Sequence, residues 1–210
     1  MEVNVYTPFV VPVFKTKCDF YKEFDDSEYT HQNVITLHQD EKLSPLVNHV
    51  FEMARHICDD VFTVRKDIYE LELTSMWINK CEFGVSHRPH MHPNAYLSGV
   101  YFLNGDGYDF PPFNACAPWE VQIQPTIREH NPFNSNIWEY PTIAGDCYMW
   151  PSWMVHYVDS NMNKEMKQRK TISWNISLNG YFQTLGTSDN GMTEVPIREQ
   201  TARPTSQKMS

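Results

Sequence analysis

The spacing of hydrophobic positions changes once along this chain. Between residues 44 and 62 they recur every three or four residues: Leu46, Val50, Ala54, Ile57 and Val61 form one apolar stripe, the period of an amphipathic helix. Ser44 is placed to cap that helix. Pro45 suits its first turn, where the missing N–H would have no partner anyway. From Ile68 the period shortens to two. The run YELELTSMWINK sets Leu71, Leu73, Ser75, Trp77 and Asn79 on one face, as in a half-buried strand. Further β-prone runs cover 96–103, 147–150 and 170–178. FVVPVFKT near the start is also extended, with Pro12 marking an edge or a bend. Asn104-Gly105-Asp106-Gly107 and Gly145-Asp146 punctuate these runs as turns.

Two stretches lack a period. Residues 18–39 are polar and read as irregular structure. Residues 108–141 are rich in Pro, Asn and aromatic residues, and only 120–124 has strand character. A connection that long is either a packed surface loop or a cover over a site. The chain from Thr187 onward is polar and reads as a frayed tail. One early helix followed by six or more short strands predicts a mostly β, single domain over 1–186 with helical cover, and a flexible tail over 187–210.

Composition narrows the functional classes. The formal charge is −9, and no basic cluster offers the phosphate contacts that nucleic-acid binding needs. The five cysteines, Cys18, Cys58, Cys81, Cys116 and Cys147, are scattered without a CxxC pair, the usage of reduced thiols in a cytoplasmic protein. No apolar run approaches the length of a membrane span, and no leader pattern opens the chain.

Candidate chemistry sits in the SHRPHMHPN stretch. His90 and His92 are two residues apart, so a strand would turn both imidazoles to one side. His156 follows far downstream in PSWMVH, beside another β-prone run. Three neutral imidazoles, or two and a carboxylate, suit Fe(II), Zn or Cu rather than Mg or Ca. Arg169 opens the pattern Arg169-Lys170-Thr171-Ile172-Ser173-Trp174, which places Arg169, Thr171 and Ser173 on one face. An inward arginine with a hydroxyl two residues on can clamp a carboxylate. His87 falls outside the period-two register and His130 lies among polar loop residues, so both read as polar side chains. His49 and His56 read as ordinary helix histidines.

The order HxHPN, LSGVYFLN, PSWMVH and RxTISWN resembles the Fe(II)/2-oxoglutarate-dependent oxygenase superfamily, above all a branch known mainly from bacterial and phage genomes. The resemblance spans most of residues 9–178. It implies a double-stranded β-helix (jelly-roll) core, iron and 2-oxoglutarate as co-substrate, and a location in the cytoplasm (the host's, if phage-encoded). It further implies His90, His92 and His156 as metal ligands, Arg169 and Thr171 as the co-substrate clamp, and Tyr101 and Asn79 as additional co-substrate contacts. His92 stands where most of the superfamily has a carboxylate. Either His92 ligates, or Asp109, Asp146 or Asn94 supplies the third position from a loop. Trp77, Trp150 and Trp153 wall the pocket or pack the core. Two other readings fit the same residues: a cupin-like metalloenzyme without 2-oxoglutarate, and a non-catalytic jelly-roll or virion-associated module. The expected substrate is a small molecule or a protein side chain, with no nucleic acid or membrane partner; a homodimer is left open.

Overall fold

The computed structural model describes residues 10–30, 35–64, 69–119, 125–183 and 192–195. The strand expected over 120–124 lies outside these residues, as does most of the expected tail. Ten strands follow in order: β1 (Phe14–Lys17), β2 (Tyr69–Cys81), β3 (His87–His90), β4 (Leu97–Phe102), β5 (Phe113–Cys116), β6 (Ile137–Tyr140), β7 (Asp146–Pro151), β8 (His156–Val158), β9 (Arg169–Gln183) and β10 (Met192–Val195). They form two antiparallel sheets. The larger runs β1-β7-β4-β9-β10, with β2 pairing β9 along almost its whole length. The smaller runs β3-β8-β5-β6. Mostly β, with one helix packed on one side, this is the architecture the patterning predicts, and it is consistent with the jelly-roll core that the family resemblance implies.

The central strands β4 and β7 of the larger sheet are buried at every position, on both faces, for two reasons. One face carries Leu97, Tyr101, Cys147, Met149, Ile172, Trp174 and Ile176 and packs against helix α1 (Ser44–His56) through Leu46, Val50, Met53 and Ala54. The opposite face carries Val100, Phe102, Tyr148 and Trp150, which meet Phe113 and Ala115 of the smaller sheet. Gly99 is required in β4: a Cβ there would lie 2.4 Å from the Trp174 indole across the strand pair.

Four local expectations change. Ser44 is already helical, because a 3-10 turn over Glu41–Leu43 runs straight into α1; the capping side chain is Asp40, which accepts from Lys42 N at 2.9 Å. The helix widens into a π turn over Ile57–Val61. The extra residue per turn rotates Val61 out to solvent while Ile57 and Cys58 stay buried. The segment 108–141 is not only loop, since β5 and β6 lie within it and form half of the smaller sheet. Its Pro and Asn residues hide two four-residue strands too short to show a period. Met192–Val195 likewise adds a strand to β9 inside the stretch expected to be tail. No helix among the described residues is long and apolar enough to cross a membrane.

Candidate metal centre

β3 and β8 are neighbours in the smaller sheet, and their register sets His90 directly opposite His156. The two rings are 4.3 Å apart at their centroids. His92 arrives differently from the expectation of a strand position, because β3 ends at His90. Its backbone is instead tied to the corner between β7 and β8: His92 N donates to Ser152 O at 3.0 Å, and Ser152 N donates to Tyr96 O at 3.0 Å. The Ser152 hydroxyl adds a bond to Ala95 O. This corner carries the His92 ring to within 3.2 Å of His156, Nε2 to Nε2. One ligand atom from each of the three histidines lies within 4.8 Å of the others.

The hydrogen bonds decide which nitrogens are free. His156 Nδ1 lies 3.0 Å from Met154 O, and His90 Nδ1 lies 2.7 Å from Arg88 O. A carbonyl only accepts, so Nδ1 carries the proton in both neutral rings and Nε2 is left bare. Burial against Phe113 and Trp150 pushes the His156 pKa down to about 3, with the neighbouring His90 and His92 acting in the same direction. His92 is pushed down to about 4, first by burial and then by His90. Both rings are therefore neutral near pH 7, the form that binds metal. Metal–nitrogen bonds of about 2.1 Å put adjacent ligands roughly 3 Å apart, so the 3.2 Å between His92 and His156 fits two ligands of one ion. The donor set fits iron or another imidazole-binding metal.

The triad opens on a cavity of about 500 Å³. Its far wall is built by β2 and β9, and a β-bulge in β2 decides which residues face it. Leu73 pairs with Ile176 and Ser75 with Asn175, so Thr74 is the inserted residue. One extra residue exchanges the two faces of a strand. The single face expected from Leu71 to Asn79 is thereby split. Leu71 and Leu73 pack toward α1, joined after the bulge by Met76 and Ile78. Trp77 and Asn79 turn into the cavity, opposite Ser173 and Thr171. Asn79 Nδ2 donates to Thr171 Oγ1 at 3.3 Å and to Ser173 Oγ at 3.1 Å.

Arg169 lines the same cavity and is only 3% exposed. Its guanidinium lies 5.4 Å from the Phe102 ring, and Arg169 stands opposite Cys81 in register. No carboxylate pairs with it among the described residues, and its Nε has no hydrogen-bond partner. Burial lowers its pKa to about 10, and it remains a cation at neutral pH. A buried, unpaired cation is costly unless an anion arrives.

The remaining candidates separate cleanly. Tyr101, expected as a co-substrate contact, does not line the cavity. It faces the α1 side of the sheet, fully buried, where its hydroxyl donates to Cys18 O at 2.7 Å and accepts from Tyr21 N at 2.8 Å. Alternation from Leu97 already excludes it from the cavity face once Val100 is known to point there. Asp146 is fully buried but pairs with Lys15 at 2.6 Å, and Asp109 stays in the 106–109 turn, accepting from Asp106 N. Neither these nor Asn94 lines the cavity. Trp77 and Trp150 do, whereas Trp153 is half exposed and outside it. His87, expected to be a plain polar residue, sits in the cavity wall with Nε2 at 3.4 Å from Cys81 Sγ. The irregularity between His87 and His90 breaks the period that seemed to exclude it. Cys81 itself had no signal in the sequence, because only the bulge sets it opposite Arg169.

Residues 75–175, just under half of the chain, match a family model described as "Putative 2OG-Fe(II) oxygenase". The match supports the Fe(II)/2-oxoglutarate oxygenase superfamily. The histidine triad and Arg169 all fall within it. The chain is similar in fold to the α-ketoglutarate-dependent epimerase SnoN of nogalamycin biosynthesis, at 14% identity and a TM-score of 0.51, with 83% of this chain and 70% of that one covered. The SnoN complex with Fe3+, α-ketoglutarate and nogalamycin RO gives a TM-score of 0.52 at 13% identity, covering 80% and 75%. A Pseudomonas putida prolyl-4-hydroxylase is more distant, with a TM-score of 0.46 at 14% identity over 66% and 68%. No curated protein matches the chain in sequence.

Proposed function

We propose that the protein is an Fe(II)- and 2-oxoglutarate-dependent dioxygenase. One observation carries the reading: three imidazoles with convergent nitrogens and a buried guanidinium without a carboxylate partner among the described residues line one cavity. His90, His92 and His156 would hold the iron. Arg169 would pair bidentately with the far carboxylate of the 2-oxo acid, and Thr171, oriented by Asn79, would add a hydroxyl donor. Iron, when bound, supplies the activation of dioxygen. The balanced reaction is R–H + 2-oxoglutarate + O₂ → R–OH + succinate + CO₂. The chain's own part is to position both substrates and keep water out, with Trp77, Trp150 and Phe113 as the apolar wall. The acceptor R–H is a small molecule or a protein side chain. SnoN is an epimerase, so product analysis must separate hydroxylation from inversion at the attacked carbon.

A second reading, a cupin-like metalloenzyme that does not use 2-oxoglutarate, is favoured by the absence of a carboxylate among the three ligands. Arg169 discriminates between the two. Anaerobic addition of Fe(II) and then 2-oxoglutarate should produce a weak visible charge-transfer band, abolished in His156→Ala. In Arg169→Ala the 2-oxoglutarate affinity should fall about 10- to 100-fold, the worth of a charge-assisted pair. Iron uptake with unchanged 2-oxoglutarate affinity in Arg169→Ala would favour the cupin-like reading. No metal uptake at all would leave a non-catalytic module.

A further inference from the structure

Charge sets the cavity apart from the rest of the molecule. The chain carries a formal charge of −9, yet among the described residues no aspartate or glutamate lines the cavity. Two arginines do, Arg169 and Arg88. Arg169 is buried, whereas Arg88 is exposed. Elsewhere lysines pair with acids: Lys15 reaches Asp146 at 2.6 Å, and Lys80 and Lys170 reach Asp26 at 2.8 and 3.0 Å. Arg88 makes neither an ion pair nor a cation–π contact among the described residues.

The backbone around Arg88 fixes its place. Arg88 stands in β3 between His87, which pairs in register with Val158, and His90, which pairs with His156. Its carbonyl oxygen lies 2.7 Å from His90 Nδ1. Just before β3, Gly84 N donates to Asn161 O at 2.8 Å, and Asn161 N donates to Val85 O at 2.9 Å. Two residues of strand span about 7 Å, so the Arg88 backbone is one short step from a triad histidine.

The balance of charge indicates what such a cation is for. Three imidazoles bring no negative charge to a divalent ion. Of the two carboxylates of 2-oxoglutarate, one would answer Arg169 and the other the metal. One positive charge at the triad and the charge of Arg88 are then left unmatched. Beside the apolar wall of Trp77, Trp150 and Phe113, unmatched cations attract an anion more strongly than they would in open water. We propose that Arg88 binds the acidic group of the primary substrate, and that this substrate is a small organic anion, a carboxylate or a phosphate ester. The guanidinium can pair bidentately with either oxyanion. Ser86 lines the same cavity and adds a hydroxyl donor. The cavity, about 500 Å³, has to hold the 2-oxo acid too, so the substrate is compact. This inference rests on the oxygenase reading above and narrows its acceptor to an acid.

A binding measurement without turnover tests this. Protein loaded anaerobically with Fe(II) and saturating 2-oxoglutarate, which occupies Arg169, is titrated calorimetrically with benzoate, phenyl phosphate and benzyl alcohol. One of the two anions should bind about 10-fold or more tightly than the neutral alcohol, and which one does so separates a carboxylate from a phosphate substrate. In Arg88→Gln the affinity for that anion should fall about 10-fold, and Arg88→Lys should recover part of it. The 2-oxoglutarate affinity of Arg88→Gln should stay within about fivefold of the wild type, because exposed charges couple weakly. Arg88 is exposed, so the melting temperature of Arg88→Gln should match the wild type and separate lost binding from lost folding. Equal anion affinity in Arg88→Gln and the wild type, or no preference for either anion over the alcohol, would overturn the proposal. So would a loss of 2-oxoglutarate affinity as large as that in Arg169→Ala, which would assign Arg88 to the co-substrate. A wild type that binds Fe(II) but no 2-oxoglutarate would instead remove the oxygenase reading, and the same titrations on the Fe(II) protein would still decide the role of Arg88.

Discussion

His156 and His92 show how burial keeps an imidazole neutral. Apolar walls and mutual proximity hold their pKa values at about 3 and about 4, against 6.5 in an unfolded chain. The sign of the linkage follows. In the folded state these groups resist protonation, so their contribution to stability is fully present above pH 6.5 and is lost as the pH falls toward 4 and 3. The metal-free protein should lose stability over that window, and the pH slope should be shallower in His156→Gln, as measured by urea denaturation at a series of pH values. An identical slope would show that His156 is not held neutral by the fold. Of the three histidines, His90 is the one exposed to solvent.

At the scale of elements, the site depends on two strand pairs whose details are unforgiving. β4 and β9 approach closely at Gly99 because the Trp174 indole fills the space a Cβ would need. Gly99→Ala must push a fully buried ring or the backbone aside. Overpacking of this kind costs about 1–3 kcal/mol, and the melting temperature should fall by several degrees. An unchanged melting temperature would mean that the strand pair yields more easily than its packing suggests. The β2 bulge matters more for function than for stability. Without Thr74 as the inserted residue, Trp77 and Asn79 would exchange places with Met76 and Ile78 and leave the cavity wall apolar.

At the scale of the whole molecule, the larger sheet is a partition. One face is a core shared with α1; the other face is an aromatic cluster at one end and the reactive cavity at the other. Stability and chemistry are thus largely assigned to opposite sides. Leu46→Ala, which hollows the fully buried α1 side, should cost about 2–5 kcal/mol. The affinity for Co(II) should change by no more than about twofold, because distant sites act almost independently. A larger loss of affinity would show that the α1 core sets the geometry of the histidines through the sheet.

The amino-acid sequence determined a good deal by itself. The 3.6-residue stripe from Leu46 to Ile57 places α1, and alternation through Arg169, Thr171 and Ser173 places all three on one face of β9. Period and face are local properties of a chain with fixed backbone geometry, so they are legible without the fold. The histidine and arginine motifs were legible for the same reason, as short patterns within single segments. What alternation cannot report is which face looks at which partner. Tyr101 follows a perfectly regular β4 and still lies on the wrong side of the sheet for the cavity. One inserted residue in β2 exchanges its faces, sets Cys81 against Arg169 and Ser75 against Asn175, and leaves no mark in the hydrophobic pattern. The meeting of His92 with His156 was also a tertiary decision. It depends on backbone hydrogen bonds from Ser152 to a loop far away in sequence, and such bonds draw on N–H and C=O groups that every residue carries.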